Sequence, residues 1–137
     1  FTKELSFIET YVKLEQLRFG DKIEMIYELE EKDFYIPSLT IQPLVENAIK
    51  HGITVKEEGG KVILRTEKIN NEINISIIDD GVGFSNAQDF DDTDSHIGLQ
   101  NVKYRLKYFL ESDLIINSNE QGTKIIIKIK DGKKGGK

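Results

Sequence analysis

The spacing of apolar residues along the chain predicts three helices. In the first, Leu5, Ile8, Val12 and Phe19 fall near helical spacing with charged residues between them. They predict a helix from about Thr2 to Arg18, and Gly20 is its expected stop. The apolar stripe is narrow, so it is closer to a two-helix seam than to a broad core face.

The second predicted helix follows the pair Pro37-Ser38, in which Ser38 is the expected N-cap. The helix is expected to stop at Gly52. Its expected apolar face consists of Leu39, Leu44, Ala48 and Ile49. The third helix is predicted in "IGLQNVKYRLKYFL", where apolar residues return to helical spacing. Its apolar positions are Val102, Leu106 and Phe109 or Leu110.

Alternation of apolar and polar residues predicts five strands. "KIEMIYELE" has the pattern of a half-buried strand, and "KVILRTEKI" and "EINISIID" form a hairpin around Asn70-Asn71. "DLIIN" and "TKIIIKIK" form the last pair, with Gln121-Gly122 in the turn. Because most strands come in hairpins, we expect an α+β fold. It is a two-layer α/β sandwich, with helices packed on one face of a mixed, mostly antiparallel sheet.

Composition then limits the functional classes. The 137 residues suit one domain, and 38% hydrophobic with 31% charged residues is typical of a globular protein. A net charge of -5 argues against nucleic acid or an anionic membrane surface as the main partner. The chain has no cysteine, and its two histidines, His51 and His96, are too few for a dedicated zinc site. No apolar run approaches the roughly 18 residues of a membrane span.

The two ends of the chain suggest a fragment. The first residue is Phe1 rather than Met, so we expect an excised piece from which a partner domain is missing. At the other end, "DGKKGGK" contains no apolar residue and is expected to be a disordered tail. The expected division is therefore a linking helix at 1–20, a folded domain at 21–130 and a tail at 131–137.

The segment "QPLVENAIKHG" carries an unusual number of polar groups for a half-buried helix. Asn47 lies three residues from Lys50 and four from His51, so the three side chains share a face. An amide oxygen beside the Glu46 carboxylate suits a hydrated Mg²⁺, and Lys50 suits phosphate oxygens. The alternative is an amphipathic helix with a Glu46–Lys50 surface pair worth about 0.3–0.5 kcal/mol. Taken alone, this segment favours the alternative.

A glycine-rich turn follows a buried strand in "IIDDGVGF". Asp79 ends the strand, where its carboxylate can accept a hydrogen bond from an exocyclic amine such as that of adenine. Gly81 and Gly83 let the backbone turn sharply and approach a flat ligand. The alternative is an ordinary strand-ending turn. The segment is not a phosphate-binding loop of the GxxxxGK[ST] type, since no such lysine follows.

Two later segments hold further candidates. Gly98 precedes a helix whose free N–H groups can hold phosphate, and Asn101 and Arg105 are four residues apart on that helix. Alone, a helix cap with a solvated face explains them as well. Gly122 and Thr123 in "QGTKI" are also explained by a hairpin turn.

The order of these segments is more informative than any one of them. "LVENAIKHG", "DDGVGF", an acid-rich loop, "IGLQNVKYRL" and "QGT" resemble the N, G1 and G2 boxes and closing GT of a histidine-kinase ATP-binding domain. This domain belongs to the superfamily of gyrase, chaperone, histidine-kinase and mismatch-repair ATPases. The details resemble sensor kinases that pair with LytTR-type response regulators, including an opening helix from Tyr11 to Phe19. The resemblance covers nearly all of 1–130.

The resemblance implies roles for the residues of the first helix motif. Asn47 would be the Mg²⁺ ligand, and Lys50 and His51 would lie near the phosphates of ATP. Glu46 would be an acid beside the metal, so Glu46, Asn47 and Lys50 are the implied catalytic residues. Pro43 stands where hydrolytic relatives carry a catalytic Glu, which fits transfer to a protein rather than to water.

The resemblance also assigns the rest of the pocket. Asp79 would bind the adenine amino group with Thr123 beneath it, and Gly81 and Gly83 would shape the pocket. The segment 84–95 would be an acid-rich lid. The remaining implied contacts are Gly98 and Leu99 at the far hinge of the lid and Asn101 and Arg105 on the phosphate side. His96 departs from the family pattern, in which glycine is common.

The implied partners lie outside this chain. Neither histidine has the Pro-His-Phe context of the family's phosphoacceptor, so the fragment is expected to bind ATP without autophosphorylating. The stripe of Leu5, Ile8 and Val12 is the expected contact with missing dimerisation helices. A LytTR-type response regulator is the expected second partner. The resemblance further implies a monomeric fragment of a homodimer, in the cytoplasmic part of a membrane-anchored bacterial sensor.

Two other functions remain open from the sequence. An anti-sigma-factor type of protein serine kinase shares these boxes and would not need the missing histidine segment. A non-enzymatic nucleotide-binding or dimerisation module is the third possibility. It is disfavoured by the joint presence of Asn47, Asp79, Gly81 and Gly83.

Overall fold

A computed structural model describes residues 1–53, 57–82 and 97–130. The chain begins with helix α1 (Thr2–Phe19) and a short 3-10 turn (Gly20–Lys22), followed by strand β1 (Ile23–Leu29). Helix α2 (Gln42–Asn47) continues into π-helical turns (Ala48–Ile53). The lid segment 84–95, Gly83, His96 and the tail lie outside the described residues.

The second half of the chain contains two hairpins separated by a helix. Strands β2 (Gly60–Ile69) and β3 (Glu72–Asp79) form the first hairpin. Helix α3 (Ile97–Arg105) continues into π-helical turns (Leu106–Leu110). Strands β4 (Leu114–Asn119) and β5 (Gly122–Lys130) form the second hairpin. The helices, strands and both hairpins predicted from the sequence pattern are therefore present.

The five strands form one mixed sheet in the order β1-β2-β3-β5-β4. Strand β1 pairs with β2 in parallel, and all other neighbouring strands are antiparallel. Alternate residues of β2, β3 and β5 are buried, so one face of the sheet is covered. The buried residues of these strands and of all three helices join in one apolar core. The predicted α+β sandwich is confirmed.

The first helix packs on this core, which corrects one expectation. Leu5, Ile8 and Val12 are buried among the core residues of the domain. They are therefore not available to contact dimerisation helices, because their apolar surface is already covered. The helix ends at Phe19, and Gly20 follows with a φ of 63°, as its predicted role as a stop requires.

The start of the second helix was also predicted wrongly. Helix α2 begins at Gln42 with Pro43 in its first turn, and Ser38 precedes it in a turn rather than acting as its N-cap. Leu39 is 51% exposed, so it does not belong to the apolar face. Its φ of 61° lies in the left-handed region, which interrupts a helix there. Leu44, Ala48 and Ile49 are buried as predicted.

The ends of the other elements show smaller differences. Gly122 is the first residue of β5 rather than a turn residue, and the turn consists of Glu120 and Gln121. Of the two candidates for the last apolar position of the third helix, Leu110 is half-buried and Phe109 is exposed. Among the described residues, no helix has the length and apolar character needed to cross a membrane.

Candidate nucleotide site

Three strand ends meet at one end of the sheet and form the floor of the candidate site. Strand β3 ends at Asp79, which pairs in register with Val62 of β2 and with Thr123 of β5. Asp79 and Thr123 are both buried although both are polar. The antiparallel pairing therefore places Thr123 directly beside Asp79, as the resemblance implied.

Local hydrogen bonds fix the two polar side chains. The backbone N–H of Gly81 donates to Oδ1 of Asp79 over 2.8 Å, and both residues are buried. The hydroxyl of Thr123 lies 2.8 Å from that of Ser118 on β4. A carboxylate held by the amide two residues on has a defined orientation, which an Asx-type turn provides. The sheet end thus presents one oriented carboxylate and one buried hydroxyl side by side.

Glycine is required where β5 approaches the end of β3. Gly122 has a φ of 142°, which non-glycine residues rarely adopt. A Cβ at this position would overlap the backbone carbonyl oxygen of Asp79 and lie 2.9 Å from the Cα of Asp80. From the sequence, this glycine was expected to do no more than form a hairpin turn. In the structure it permits the close approach that brings Thr123 to Asp79.

The helical side of the site is formed by α2. Asn47, its last residue, is half-buried, and its Oδ1 is buried without a hydrogen-bond partner. Glu46 is half-buried and accepts a hydrogen bond of 2.9 Å from Nε2 of Gln42. An unpaired buried amide oxygen is a ligand of the type that Mg²⁺ takes in proteins. Asn47 therefore fits the metal role that the resemblance gave it.

The π-helical turns after α2 connect this helix to the sheet end. They pack against β2, β3 and β5. A Cβ at Gly60, the first residue of β2, would lie 3.0 Å from Cδ1 of Ile53 and would overlap the carboxylate of Asp80. Asp80 in turn accepts the backbone N–H of Lys61 over 2.8 Å. The helix end and the three strand ends therefore meet in one place.

The structure describes two predicted site residues of these turns to different extents. Lys50 is exposed, and its contact with phosphate oxygens remains a prediction. The backbone of His51 lies in the π-helical turns, but its side chain lies outside the described part of the molecule. Among the described residues, no group of three or more His, Asp or Glu side chains forms a metal cluster.

Helix α3 lies beside α2 and brings the third predicted segment to the site. Leu99 is fully buried in the core, whereas Asn101 is exposed and Arg105 is half-buried. Gly98 lies in the first turn of this helix rather than before it, because the helix already begins at Ile97. Leu99 thus has a packing function that the resemblance did not require. The contacts of Gly98, Asn101 and Arg105 with phosphate remain predictions.

Sequence reasoning missed one buried carboxylate that supports the site. Glu4 of α1 is buried, and its Oε2 accepts the backbone N–H groups of Ile41 over 2.8 Å and of Gln42 over 2.9 Å. Burial raises the pKa of Glu4 above its ordinary value, and the neighbouring amides offset this only in part. No sequence pattern could have shown this contact, because 37 and 38 residues separate the partners.

A second residue of α1 also lies near α2. Burial raises the pKa of the Tyr11 hydroxyl, and the carboxylates of Glu15 and Glu46 raise it further. The hydroxyl is buried without a hydrogen-bond partner. Helix α1 therefore borders α2 near both of its ends, at Ile41 and near Glu46.

Comparison with known proteins identifies the family of this fold and site. The sequence model of the histidine kinase-, DNA gyrase B- and HSP90-like ATPases matches residues 37–133. The chain belongs to this ATPase family. The match contains Asn47, Asp79, Gly81 and Thr123, so the sheet end and the α2 helix lie within the ATPase domain.

Individual relatives of this ATPase domain are sensor kinases. The sensor histidine kinase YpdA of Escherichia coli is 39% identical over 133 residues, covering 93% of this chain and 24% of YpdA. The sensor protein LytS of Oceanobacillus iheyensis is 29% identical over 137 residues, covering 90% of this chain and 23% of LytS. The chain thus spans about a quarter of the length of these two relatives.

Solved structures confirm the fold of the ATPase domain. The histidine kinase AdeS of Acinetobacter baumannii superposes with a TM-score of 0.76 at 17% identity. The superposition covers 96% of this chain and 65% of the AdeS chain. The resemblance to histidine-kinase ATP-binding domains predicted from the motifs is confirmed, as is the ATP-binding class of the domain.

Proposed function

We propose that this ATPase domain is the catalytic domain of a two-component sensor histidine kinase. It binds ATP and transfers the γ-phosphoryl group to a histidine on a separate helical segment. The observation that carries this proposal is the sheet end, where Asp79 is oriented by the Gly81 amide and paired in register with Thr123. Its sensor-kinase relatives support the same reaction class.

Adenine recognition is assigned to the sheet end. The oriented Asp79 carboxylate accepts a hydrogen bond from the exocyclic amino group of adenine. Thr123 lies beneath the ring, and Gly81 and Gly83 leave room for its edge. A buried carboxylate with a defined direction selects an amine donor over a carbonyl, because an unpaired buried acceptor is costly. We therefore expect preference for adenine over guanine nucleotides.

Phosphate binding is assigned to the helical side of the site. Asn47 Oδ1 is the protein ligand for Mg²⁺, which would neutralise phosphate charge during transfer. Glu46 follows as an acid beside the metal, and Lys50 neutralises phosphate oxygens as a point charge. His51, Gly98, Leu99, Asn101 and Arg105 complete the proposed phosphate side and the hinge of the lid 84–95.

The transfer itself needs few protein groups. An imidazole nitrogen of the acceptor attacks the γ-phosphorus, a P–N bond forms and the bond to the β–γ bridging oxygen breaks. ADP leaves, and the imidazole loses its N–H proton to solvent. The domain supplies position and charge rather than a covalent intermediate. Pro43 has no basic group to activate water, which favours transfer to a protein over hydrolysis.

The acceptor segment is proposed to contact the outer side of α1. Phe7, Leu14 and Leu17 are exposed by 58%, 57% and 83%, although they are large and apolar. They recur seven and three residues apart, which is the spacing of a helix-pairing stripe. This second stripe replaces the buried residues of α1 as the candidate contact with a dimerisation and phosphoacceptor helix. The whole kinase would be a homodimer with a LytTR-type response regulator as its substrate.

The proposed location follows from the substrates. ATP and a response regulator are both cytoplasmic, so the domain would lie on the cytoplasmic side of a bacterial sensor protein. A membrane anchor elsewhere in that sensor would hold the domain at the membrane.

The decisive experiment combines binding and transfer. Calorimetry should show Mg²⁺-dependent ATP binding, and Asp79→Asn should abolish or strongly weaken it. The domain, ATP and a separately produced upstream helical segment of the same protein should then yield acid-labile phosphate on that segment. Acid-stable phosphate on serine would instead indicate a serine kinase. ATP binding that Asp79→Asn leaves unchanged would overturn the assignment of the adenine site.

A further inference from the structure

The N-terminus of α2 has no cap from its own segment. Its N-cap residue, Ile41, provides no side-chain hydrogen bond to the helix. The first N–H groups of a helix have no partner within the helix, so without a cap they need an acceptor from elsewhere. The missing cap is supplied by α1, because Glu4 accepts the N–H groups of Ile41 and Gln42. We call this contact the Glu4 cap.

The Glu4 cap completes the hydrogen bonding of the first turn. The amides of Ile41 and Gln42 bind Glu4, and Pro43 has no N–H to satisfy. The next two amides, those of Leu44 and Val45, donate to the carbonyl of Ile41 over 2.9 and 3.1 Å. Every backbone N–H from 41 to 45 therefore has an acceptor. The two hydrogen bonds whose acceptor lies outside the helix, those of Ile41 and Gln42, both depend on the Glu4 carboxylate.

We infer that Glu4 is a positioning residue for the nucleotide site, acting through α2 on Asn47. This inference rests on the proposed function, because one of its tests measures ATP affinity. Helix α2 has six residues, so about 9 Å separates the capped end from Asn47. Leu44 and Val45 between them are fully buried, so packed residues connect the capped end to Asn47. A change at the cap therefore moves or loosens the end that carries Asn47.

The cap also connects the site to the position of α1. Glu4 lies on the same helix as the exposed stripe of Phe7, Leu14 and Leu17. The other carboxylate oxygen of Glu4, Oε1, is buried without a hydrogen-bond partner. The hydrogen bonding of the carboxylate is therefore incomplete while it is buried. Water could bind the free oxygen if α1 moved away. Displacement of α1 by a partner would remove the acceptor of both amides in one step.

Linkage makes this coupling reciprocal. If α1 position affects nucleotide affinity, nucleotide binding must stabilise α1 in its capped position by the same factor. We expect saturating ATP with Mg²⁺ to slow hydrogen exchange at the amides of Ile41 and Gln42. The Asn47 side-chain amide resonance should shift when the cap is removed, even without nucleotide.

Three variants distinguish the effect of losing the cap on ATP affinity from the effect of general destabilisation. Glu4→Ala removes the acceptor of both amides, and Glu4→Gln keeps an acceptor oxygen without the charge. Val12→Ala is the matched control, since Val12 is buried on the same helix and its truncation loosens packing without touching the cap. ATP affinity is measured by calorimetry at a temperature at which all three variants are folded.

The expected results are specific to the cap. Glu4→Ala should raise the Kd for ATP about tenfold, in line with the effect of losing an N-cap. It should also speed exchange at Ile41 and Gln42 and shift the Asn47 resonance. Glu4→Gln should restore part of the affinity. Val12→Ala should change the Kd by less than about twofold.

Several outcomes would overturn the inference. One is a Glu4→Ala protein that binds ATP as the wild type does, or that loses no more affinity than Val12→Ala. Another is an Asn47 resonance that does not move. If Glu4→Ala does not fold, Glu4→Gln decides, with a Kd increase of about threefold and an Asn47 shift expected. If the wild type binds no ATP, the proposed function fails, whereas the exchange and resonance measurements still decide whether Glu4 positions Asn47.

Discussion

Replacing Gly122 with alanine tests how the sheet end is built. Two separate penalties are expected. The φ of 142° is a conformation that L-residues rarely adopt, which costs about 1–3 kcal/mol. The new Cβ would also overlap the carbonyl oxygen of Asp79, a backbone atom that cannot rotate away. Forcing an extra carbon into such a place costs about 1–3 kcal/mol more.

The chain offers a control that separates these penalties. Gly20 also has a positive φ, of 63°, but a Cβ there would meet no atom within 4 Å. Gly20→Ala should therefore show the conformational cost alone, about 1–3 kcal/mol. The excess loss in Gly122→Ala, about 1–3 kcal/mol, measures the close approach of β5 to Asp79. Relief of the overlap should separate Thr123 from Asp79 and weaken ATP binding, which Gly20→Ala should leave unchanged.

The assay is urea denaturation, which gives the free energy of unfolding of each variant, followed by ATP calorimetry on the folded proteins. Equal destabilisation by Gly122→Ala and Gly20→Ala would show that the overlap relaxes without cost. Normal ATP affinity in a destabilised Gly122→Ala would show that the spacing of Thr123 and Asp79 is not needed for the nucleotide. Either result would refute the corresponding part of the reasoning.

Two further predictions concern buried polar groups. Thr123→Val keeps the side-chain shape but removes the 2.8 Å contact with the Ser118 hydroxyl, so urea denaturation should show a loss of about 1 kcal/mol. Thr123→Ser should be milder, and equal losses would show that the hydroxyl is unimportant. Burial raises the pKa of Glu4, so the folded state binds its proton more tightly than the unfolded state does. Relative to Glu4→Gln, the wild type should gain stability as pH falls through the raised pKa toward 4.5, and a pH-independent difference would contradict this.

The sheet and its hairpins could be predicted because their signals are local. The turn at Asn70-Asn71 and the alternating isoleucines of β3 and β5 lie within a few residues of one another. The alternation also fixes the register, since a shift of one residue would expose the buried face. Register then brings Asp79 to Thr123. The family resemblance associated these two residues, and the strand pattern supplies the physical reason.

The start of α2 could not be predicted for the opposite reason. Pro37-Ser38 has the local signature of a helix start, but the actual start is capped from α1 by Glu4. A contact between residues so far apart in sequence leaves no local pattern. The two faces of α1 were confused for a related reason. Its core-facing and exposed stripes are both short and apolar, and only packing distinguishes Leu5 from Leu14.

The packing of α1 and β1 sets the size of the unit that can be moved between proteins. The ATPase family match begins at residue 37, after both elements. A graft cut at that boundary would leave holes where Leu5, Ile8 and Val12 fill the core. It would also expose β2 as a bare sheet edge, since β1 is its parallel neighbour, and such edges recruit other chains into aggregates. Chimeric proteins joined upstream of α1 should therefore stay soluble, whereas those joined at residue 37 should aggregate.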